Sequence, residues 1–583
     1  MLARVRDQKV LVANRGEIAI RVMRTCREMG ICTVAVYSDA DRESLHVEMA
    51  DDAYHLGERA PAESYLHVAK ILAVARRSGA TLLHPGYGFL AENADFARAV
   101  AEAGLTFIGP SPESMVMMGD KSAARRAAES AGAPIVPGTA DPITPEDAGR
   151  EADRIGLPLV VKAAYGGGGK GMRLVESRSE LGEAVERSAR EAQAYFGRPE
   201  VYLERYMAKA HHVEAQVLGD RHGHHSFLGE RDCTLQRRYQ KLLEESPSPI
   251  VDEDLRARIG EAALAIARAA RYENAGTVEF LLEEDGSFYF MEMNARLQVE
   301  HPVTEMVSGL DLVRLQILVA LGERVEVAPS LRGHAIECRL NAEDPYRDFL
   351  PGPGLVTRYR PPSGPFVRLD SGVEEGRRVV GDYDSLFAKL IVWGEDREIA
   401  RRRMLRALDE LRVEGIPTTV PFHQWVLQTK EFREATADTK WVERALAEHP
   451  LSRQEPEASA HFDTTVEAKP LRMVVEVDGR RIPVALWGEE LRAAPQPPAS
   501  SGSRSAGSMA GEVVTSPMQG TILQVNVEPG QALAAGDVIC ILEAMKMENS
   551  IQTHDDGVVK EVLVSKGDVV DTDQPLAVIE ASG

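Results

Sequence analysis

A gapless internal repeat near the C-terminal end leaves this chain few folds to choose from. MQGTILQVNVEPGQALAAGDVICILEA (518–544) aligns with DDGVVKEVLVSKGDVVDTDQPLAVIEA (555–581). Gly520 matches Gly557, Val525 matches Val562 and Val527 matches Val564; Gly530 matches Gly567, Glu543 matches Glu580 and Ala544 matches Ala581. Alternating apolar residues broken by turn glycines predict strands, and two copies predict similar half-sheets about a pseudo-twofold. The join between the halves is Met545-Lys546-Met547-Glu548-Asn549. The symmetry therefore predicts Lys546 at a hairpin tip, projecting away from the core. Upstream, residues 493–511 (AAPQPPASSGSRSAGSMAG) hold almost only Ala, Pro, Ser and Gly and a single charge. Such a stretch buries too little apolar area to offset its ordering entropy and predicts a flexible linker, spanning about 25 Å root-mean-square.

Ahead of the linker the pattern changes. Residues 8–110 alternate short apolar runs (KVLVAN, TVAVYS, TLLHPG, LTFIG) with helical periodicity (RGEIAIRVMRTCREMG, SYLHVAKILAVARRSG, ENADFARAVAEAG). Strand–helix–strand repetition predicts an α/β unit whose parallel sheet is covered on both faces. Its first crossover turns on Asn14-Arg15-Gly16-Glu17 and not on G-x-G-x-x-G, which argues against a dinucleotide site. From about 121 to 205, two helical stretches are expected to flank the strand LPLVVKAAY and a run of glycines. From about 206 to 330 strand-like segments dominate, with helices at 254–271 and 311–321. A further mixed region starts at HAIECRLNAE and includes the helix DREIARRRMLRALDEL (396–411). LRMVVEVDGRRIPVALWG then predicts a hairpin turned at Asp478-Gly479.

The 583 residues suit about four domains. Charges of 68 basic against 90 acidic residues, a net of −22, exclude a general nucleic-acid or anionic-membrane binder. No apolar run reaches the roughly 18 residues of a transmembrane helix. The N-terminus MLARVRDQKVLVANRG enters a strand at once, without a signal-peptide pattern. Cys26, Cys32, Cys233, Cys338 and Cys540 are scattered and form no C-x-x-C pair. A cytoplasmic protein without a disulfide framework or zinc site is expected.

Three constellations carry chemistry. Lys162-Ala-Ala-Tyr-Gly166-Gly167-Gly168-Gly169-Lys170 follows an apolar strand. Consecutive glycines let backbone N–H groups close on phosphate oxygens, and lysines add positive charge, although a bare loop would have the same composition. It is no Walker A loop, because G-x-x-x-x-G-K-[ST] is absent. Glu279 in GTVEFLL and Glu292 with Asn294 in FMEMN flank a predicted hairpin, so the carboxylates can lie side by side. Hard oxygen ligands suit Mg²⁺ or Mn²⁺; solvated strand ends would show the same pattern. Arg296, Gln298, Val299 and Glu300 follow directly, and period-2 alternation would put Arg296, Gln298 and Glu300 on one face if the stretch is extended. An arginine and an amide can hold a small planar anion while a carboxylate takes its proton.

Pro517-Met518 with Glu543-Ala544-Met545-Lys546-Met547 resembles the biotin carboxyl carrier domain, in which that lysine is amide-linked to biotin by a biotin protein ligase. Lipoyl domains share the barrel but usually have an acidic residue before the lysine. HPGYGFLAEN (84–93), ERDCTLQRRYQK (230–241), MNARLQVEHPVTE (293–305) and ECRLNAEDP (337–345) resemble biotin carboxylase, from about residue 8 to 447. The resemblance implies a Rossmann-like domain (1–120), an ATP-grasp domain (121–330), a mixed α+β C-terminal domain (331–450) and an all-β flattened-barrel biotinyl domain (512–583). Residues 451–492 would form a short segment able to dock a partner subunit. The resemblance further implies ATP contacts from Lys121, Lys162, Gly166–Gly169, Glu204, His212, Gln236 and Tyr239. Two Mg²⁺ or Mn²⁺ ions would sit on Glu279, Glu292 and Asn294. Bicarbonate would sit on Lys241, Arg296, Gln298 and the backbone of Val299, with Glu300 as general base, and Arg339 would stabilise the enolate of biotin. Many relatives have histidine in place of Tyr239 and arginine in place of His211.

The implied activity is ATP- and bicarbonate-dependent carboxylation of biotin on the chain's own Lys546. Only about 133 residues follow position 450, too few for a second catalytic region besides the carrier. The chain therefore resembles alpha subunits of bacterial acyl-CoA carboxylases, which form hetero-oligomers with a separate carboxyltransferase beta subunit. A component of a two-subunit pyruvate carboxylase and a non-catalytic, nucleotide-regulated biotin carrier are the alternatives. Arg221-His222-Gly223-His224-His225 is expected to be an exposed hairpin loop and not a metal site, and Cys233 and Cys338 are expected to be packing residues.

Overall fold

The computed structural model describes residues 7–139, 141–164, 172–452, 471–477, 480–486, 512–517, 520–544, 547–553, 555–570 and 574–581. Gly166–Gly169, Asp478-Gly479, the 493–511 segment and Lys546 lie outside the described residues.

The N-terminal unit is the expected parallel sheet, in the strand order Asp52–Gly57, Cys32–Ser38, Lys9–Val12, Leu82–His84, Thr106–Phe107. The Asp52–Gly57 edge strand is additional to the sequence reading; its burial pattern is largely exposed, so it carries little of the apolar signal. Helix Gly16–Glu28 buries Ile18, Ala19, Val22, Met23 and Cys26, the 3–4 spacing of one apolar face. Asn14 Nδ2 donates to the Pro85 and Tyr87 carbonyls, both at 2.7 Å, and pins the HPGYG turn to this crossover. Gly86 is required there: its φ is +64° and a Cβ would lie 2.7 Å from Asn14 Nδ2.

Between residues 121 and 205, helices Lys121–Ser130 and Pro145–Ile155 precede the strand Leu159–Ala163, and helix Leu181–Phe196 follows it. Three helices thus stand where two were expected. Leu159–Ala163 is the middle strand of a three-stranded sheet between Arg173–Val175 and Val201–Arg205, with a small core of its own.

The main scaffold is an eight-stranded sheet. Its order is Phe288–Asn294, Asn274–Leu282, His211–Gly219, His225–Arg237, Gln240–Ser246, His334–Asn341, Leu386–Gly394, Val367–Ser371. Gln240–Ser246 pairs with His334–Asn341, so hydrogen bonding runs without a break across residue 330. Strand His211–Gly219 is buried at every position. Val213, Ala215 and Val217 face an apolar core closed by helix Glu253–Ala269. The alternate positions His212, Glu214 and Gln216 are buried on the opposite face. The same alternation sends Ile336, Cys338, Leu340, Leu390 and Val392 into a second core. Glu337, Arg339 and Lys389 occupy the intervening positions. One face of the sheet is therefore apolar and the other is an interior lined with charge.

The C-terminal unit has the predicted pseudo-symmetry. One four-stranded sheet runs Glu512–Thr515, Pro575–Ala581, Gly557–Val562, Ala532–Leu533; the other runs Met547–Gln552, Val538–Ala544, Gly520–Val525, Val569–Val570. The short strands Ala532–Leu533 and Val569–Val570 each pair in the sheet built mainly from the other half. Gly530 N–H donates to the Val559 carbonyl and Gly567 N–H to the Ile522 carbonyl, so the repeat-related glycines reach across the axis reciprocally. Gly520 and Gly557 serve a common purpose: a Cβ would stand 2.4 Å from the Glu543 carbonyl at the first and 2.7 Å from the Glu580 carbonyl at the second. The strands flanking Met545-Lys546 pair antiparallel as far as Ala544 and Met547. Residues Leu471–Val477 and Arg480–Leu486 form the expected antiparallel pair. Among the described residues no helix is long and apolar enough to cross a membrane.

Candidate active site

The charged face of the large sheet gathers most of the candidate residues. Glu279 and Glu292 are direct register partners on adjacent antiparallel strands, with a bulge immediately after Glu279. Glu279 is 3% exposed and fully engaged. Its Oε1 accepts from Lys241 Nζ at 3.0 Å and from Asn294 Nδ2 and Gln298 Nε2 at 2.7 Å each, and its Oε2 lies 2.9 Å from His212 Nε2. Burial and the neighbouring Glu279 charge raise the pKa of Glu292. The buried Glu279 carboxyl, the half-buried Glu292 carboxyl and an amide carbonyl form an all-oxygen donor set, which fits Mg²⁺.

Glu300 sits at the turn preceding helix His301–Ser308 and is 1% exposed. Its Oε1 accepts from Lys241 Nζ and its Oε2 from an Arg339 terminal nitrogen, both at 2.8 Å. Burial works against the Glu300 carboxylate, but Lys241 and Arg339 outweigh it and the pKa is lowered. Glu300 is thus a carboxylate, able to take a proton. Lys241 is also paired with Glu214. Burial opposes its ammonium charge too, and Glu214, Glu279 and Glu300 together hold it on.

The stretch after Asn294 is not extended as alternation would require: the strand stops at Asn294, a bend follows, and residues 299–300 form a turn. Gln298 and Glu300 still face Lys241's cluster, whereas Arg296 points along the strand end. Its Nε donates to Glu92 at 3.0 Å and a terminal nitrogen to Asn294 Oδ1 at 2.8 Å. The Val299 carbonyl accepts from the buried Lys389 Nζ at 2.8 Å, which fixes the orientation of the turn.

Of the residues expected to meet nucleotide, Lys121, Lys162 and Glu204 form a neighbouring group, while His212 and Gln236 belong to the Glu279 cluster. Lys162 pairs with Glu204, and Arg125 donates to Glu204 Oε1 at 2.9 Å. Lys121 is the first residue of its helix, with Asp120 as N-cap. Gln236 Nε2 lies 3.4 Å from His212 Nδ1. Tyr239 lies apart: it is 48% exposed, and the Lys440 ammonium stands 3.7 Å above its ring. The Arg221–His225 segment is a hairpin loop with Gly223 at φ +87°, and among the described residues it forms no three-ligand cluster. Cys338 packs in the apolar core as expected. Cys233 does not only pack: its sulfur lies with carboxylate oxygens of Glu214 and Glu300 within one 4.8 Å cluster.

Sequence reading missed several residues. Arg231, fully buried, binds Glu214, Gln216, Thr277, Gln298 and Thr304 and ties three strands to the Glu300 helix. Glu214 is its register partner. The signal was present in HHVEAQVLG, where polar residues alternate with apolar ones in a strand too apolar to be solvated.

Four family models match the chain. The profile "Biotin carboxylase, N-terminal domain" matches residues 6–115, "Carbamoyl-phosphate synthase L chain, ATP binding domain" 120–328, "Biotin carboxylase C-terminal domain" 337–444 and "Biotin-requiring enzyme" 509–579. The biotin-dependent acyl-coenzyme A carboxylase alpha3 subunit of Mycobacterium leprae is 46% identical over 596 aligned positions, covering 99% of both chains. A pyruvate carboxylase subunit of Methanothermobacter thermautotrophicus is 49% identical but covers 75% of this chain and 89% of its own length. The Campylobacter jejuni biotin carboxylase structure, solved as a β,γ-ATP complex, superposes with a TM-score of 0.73 at 45% identity, covering 75% of this chain and 98% of that one. These matches cover the whole chain: it belongs to the biotin carboxylase family, as an ATP-grasp ligase that carries its own biotinyl domain.

Proposed function

We propose that this chain is the alpha subunit of an acyl-CoA carboxylase, acting on acetyl-CoA or propionyl-CoA through a separate carboxyltransferase beta subunit in a hetero-oligomer. One observation carries the reading of the acceptor. The acyl-CoA carboxylase relative aligns through residues 451–583 as well as the catalytic body, while the alignment with the pyruvate carboxylase relative covers only three-quarters of the chain. In the first half-reaction Glu300 removes the proton of bicarbonate, held by Lys241, Arg296, Gln298 and the Val299 backbone. The freed oxygen forms a bond to the γ-phosphorus of ATP as the bond to ADP breaks, which gives carboxyphosphate. Lys121, Lys162 and the Gly166–Gly169 backbone orient the phosphates, with Glu204, His212, Gln236 and Tyr239 around the rest of the nucleotide. Glu279, Glu292 and Asn294 would hold two Mg²⁺ or Mn²⁺ ions, which would supply positive charge against the phosphoryl oxygens. Lys546 would carry biotin, attached by a biotin protein ligase; carboxyphosphate would break into CO₂ and phosphate, the phosphate taking the ureido N1′ proton while that nitrogen bonds to the CO₂. Arg339 offers its guanidinium to the oxygen on which negative charge accumulates. The 493–511 linker gives the carrier its reach between two subunits of a cytoplasmic complex, and residues 471–486 supply a strand pair for docking the second.

The test is co-purification with the beta subunit, followed by carboxylation assays on acetyl-CoA, propionyl-CoA and pyruvate. Turnover of an acyl-CoA is expected. Turnover of pyruvate alone would move the chain to the pyruvate carboxylase class, and bicarbonate-independent nucleotide binding without ADP release would leave only a regulated carrier.

A further inference from the structure

Behind Arg339 the charged face continues into two carboxyl groups that the proposed reaction does not use. Glu244 and Glu337 are register partners on adjacent antiparallel strands, and both are fully buried (0% exposed). Side chains at paired positions leave the sheet on one face, with Cβ atoms about 4.5–5.5 Å apart. Glu244 Oε1 accepts from Arg339 Nε at 2.5 Å, whereas Glu244 Oε2 and both oxygens of Glu337 have no hydrogen-bond donor. Every neighbouring cation is already engaged. Arg339 on the same strand is divided between Glu244 and Glu300. Lys389 on the next strand holds the Val299 carbonyl and lies 3.3 Å from Glu17 Oε1. Lys241 is surrounded by Glu214, Glu279 and Glu300. His301, on the helix above, is kept neutral by burial and by Lys389.

Two adjacent carboxylates in a dry interior, with one cation bonded to only one of them, repel each other and lack solvation. Burial first, and then the Glu244 charge, push the Glu337 pKa well above the usual carboxyl range against the opposing pull of Lys389 and Arg339; Glu244 is also raised, by burial and by Glu300.

We propose that Glu337 works as a neutral carboxylic acid beside a Glu244 carboxylate, so that a single negative charge lies behind Arg339 and the guanidinium keeps enough positive charge for Glu300 and the substrate oxygen. Glu337 is then a positioning residue that acts through Arg339, and the role rests on the function proposed above for that arginine. The sign of the pH dependence follows. The folded chain keeps a proton that the unfolded chain loses in the normal carboxyl range, so this contribution to stability is complete at acid pH and is lost as pH rises. Loss of the proton puts a second negative charge behind Arg339 and lowers activity on the alkaline side.

Infrared difference spectra of the full chain in H₂O and D₂O test this. A protonated-carboxyl C=O band is expected at neutral pH and is lost in Glu337→Gln. That variant keeps bicarbonate-dependent ADP release and biotin carboxylation within about threefold, and the alkaline fall in activity that follows Glu337 ionisation is absent from it, because glutamine cannot ionise. An unaltered band overturns the proposal, and so does a roughly hundredfold loss in both reactions, which would mean that the charge itself is needed. Should Glu337→Gln not fold, Glu244→Gln removes the neighbouring charge, and the pH midpoint of the same band must fall; a fixed midpoint overturns the proposal equally. A chain that carboxylates no biotin would sink the proposed function, while the band would still decide the protonation of Glu337.

Discussion

The large sheet and the carrier barrel bury opposite kinds of side chain. The carrier closes on Val514, Ile522, Leu533, Ile539, Leu542, Val559, Leu576 and Ile579, and its buried polar residues among those described are Ser516 and Thr553. The large sheet buries Glu214, Arg231, Glu244, Glu279, Glu300, Glu337 and Lys389 in one connected interior. Buried charge is expensive unless each group finds a partner, so it persists where a fixed electrostatic environment is itself the product of folding. The carrier needs no such environment. Under the function proposed above, its chemistry would reside on one side chain, Lys546. The body should therefore be sensitive to charge, and the carrier to volume.

The sharpest separation comes from Lys546. Lys546→Arg is expected to abolish biotin attachment, read as loss of the biotinyl mass on the intact chain, and to stop acyl-CoA carboxylation by the complex. Free biotin should still be carboxylated by the body; loss of that activity as well would break the division. Next in size, Glu300→Gln preserves shape and removes the carboxylate, so bicarbonate-dependent ADP release should fall by about 10²–10⁴-fold, with biotin attachment at Lys546 untouched.

Acid should attack the body first. Burial opposes ionisation of Glu245, but Arg397 and His334 outweigh it and bring its pKa from 4.5 down to about 2, a difference worth about 3 kcal/mol. That stability is present above pH 4.5 and is lost as pH falls towards about 2. Arg397→Ala should remove much of it and flatten the acid limb of a denaturation curve measured on the body, with no change in carrier unfolding. The smallest effect is steric and local. A Cβ at Gly557 would lie 2.3 Å from Ile579 Cγ2 and 2.7 Å from the Glu580 carbonyl. Gly557→Ala is thus expected to cost the carrier about 1–3 kcal/mol, seen as a lowered carrier Tm in calorimetry, with an unchanged rate of free-biotin carboxylation. An equal loss in both units would show that they do not fold independently.

The repeat made the carrier almost wholly legible, because glycines and apolar alternation at a constant offset specify strand, turn and pairing together. Glu279 and Glu292 were legible in part: alternating strands joined by a short connection predict a hairpin, but the pairing of the two carboxyls depends on a longer connection over 283–287 and on the bulge after Glu279. Glu214 and Arg231 were not, although they stand in segments that read as strands. In a strand buried on both faces, alternation shows which residues share a side but not which side is core and which is site. Arg296 to Glu300 failed differently, since a bend after Asn294 replaced the strand that the alternation assumed.

By itself the sequence determined the order of units, the linker composition, the lysine at the join of the repeat and the residue types able to bind phosphate, metal and bicarbonate. Those properties are local, and spacing along the chain encodes them. Only the tertiary structure decided that Lys241 faces Glu214, Glu279 and Glu300 at once, that Arg339 is divided between Glu244 and Glu300, and that Lys389 holds the Val299 carbonyl. Each of those contacts joins strands or turns far apart in the chain, and whether a buried charge is neutralised depends on which partners the sheet brings within a few ångströms of it.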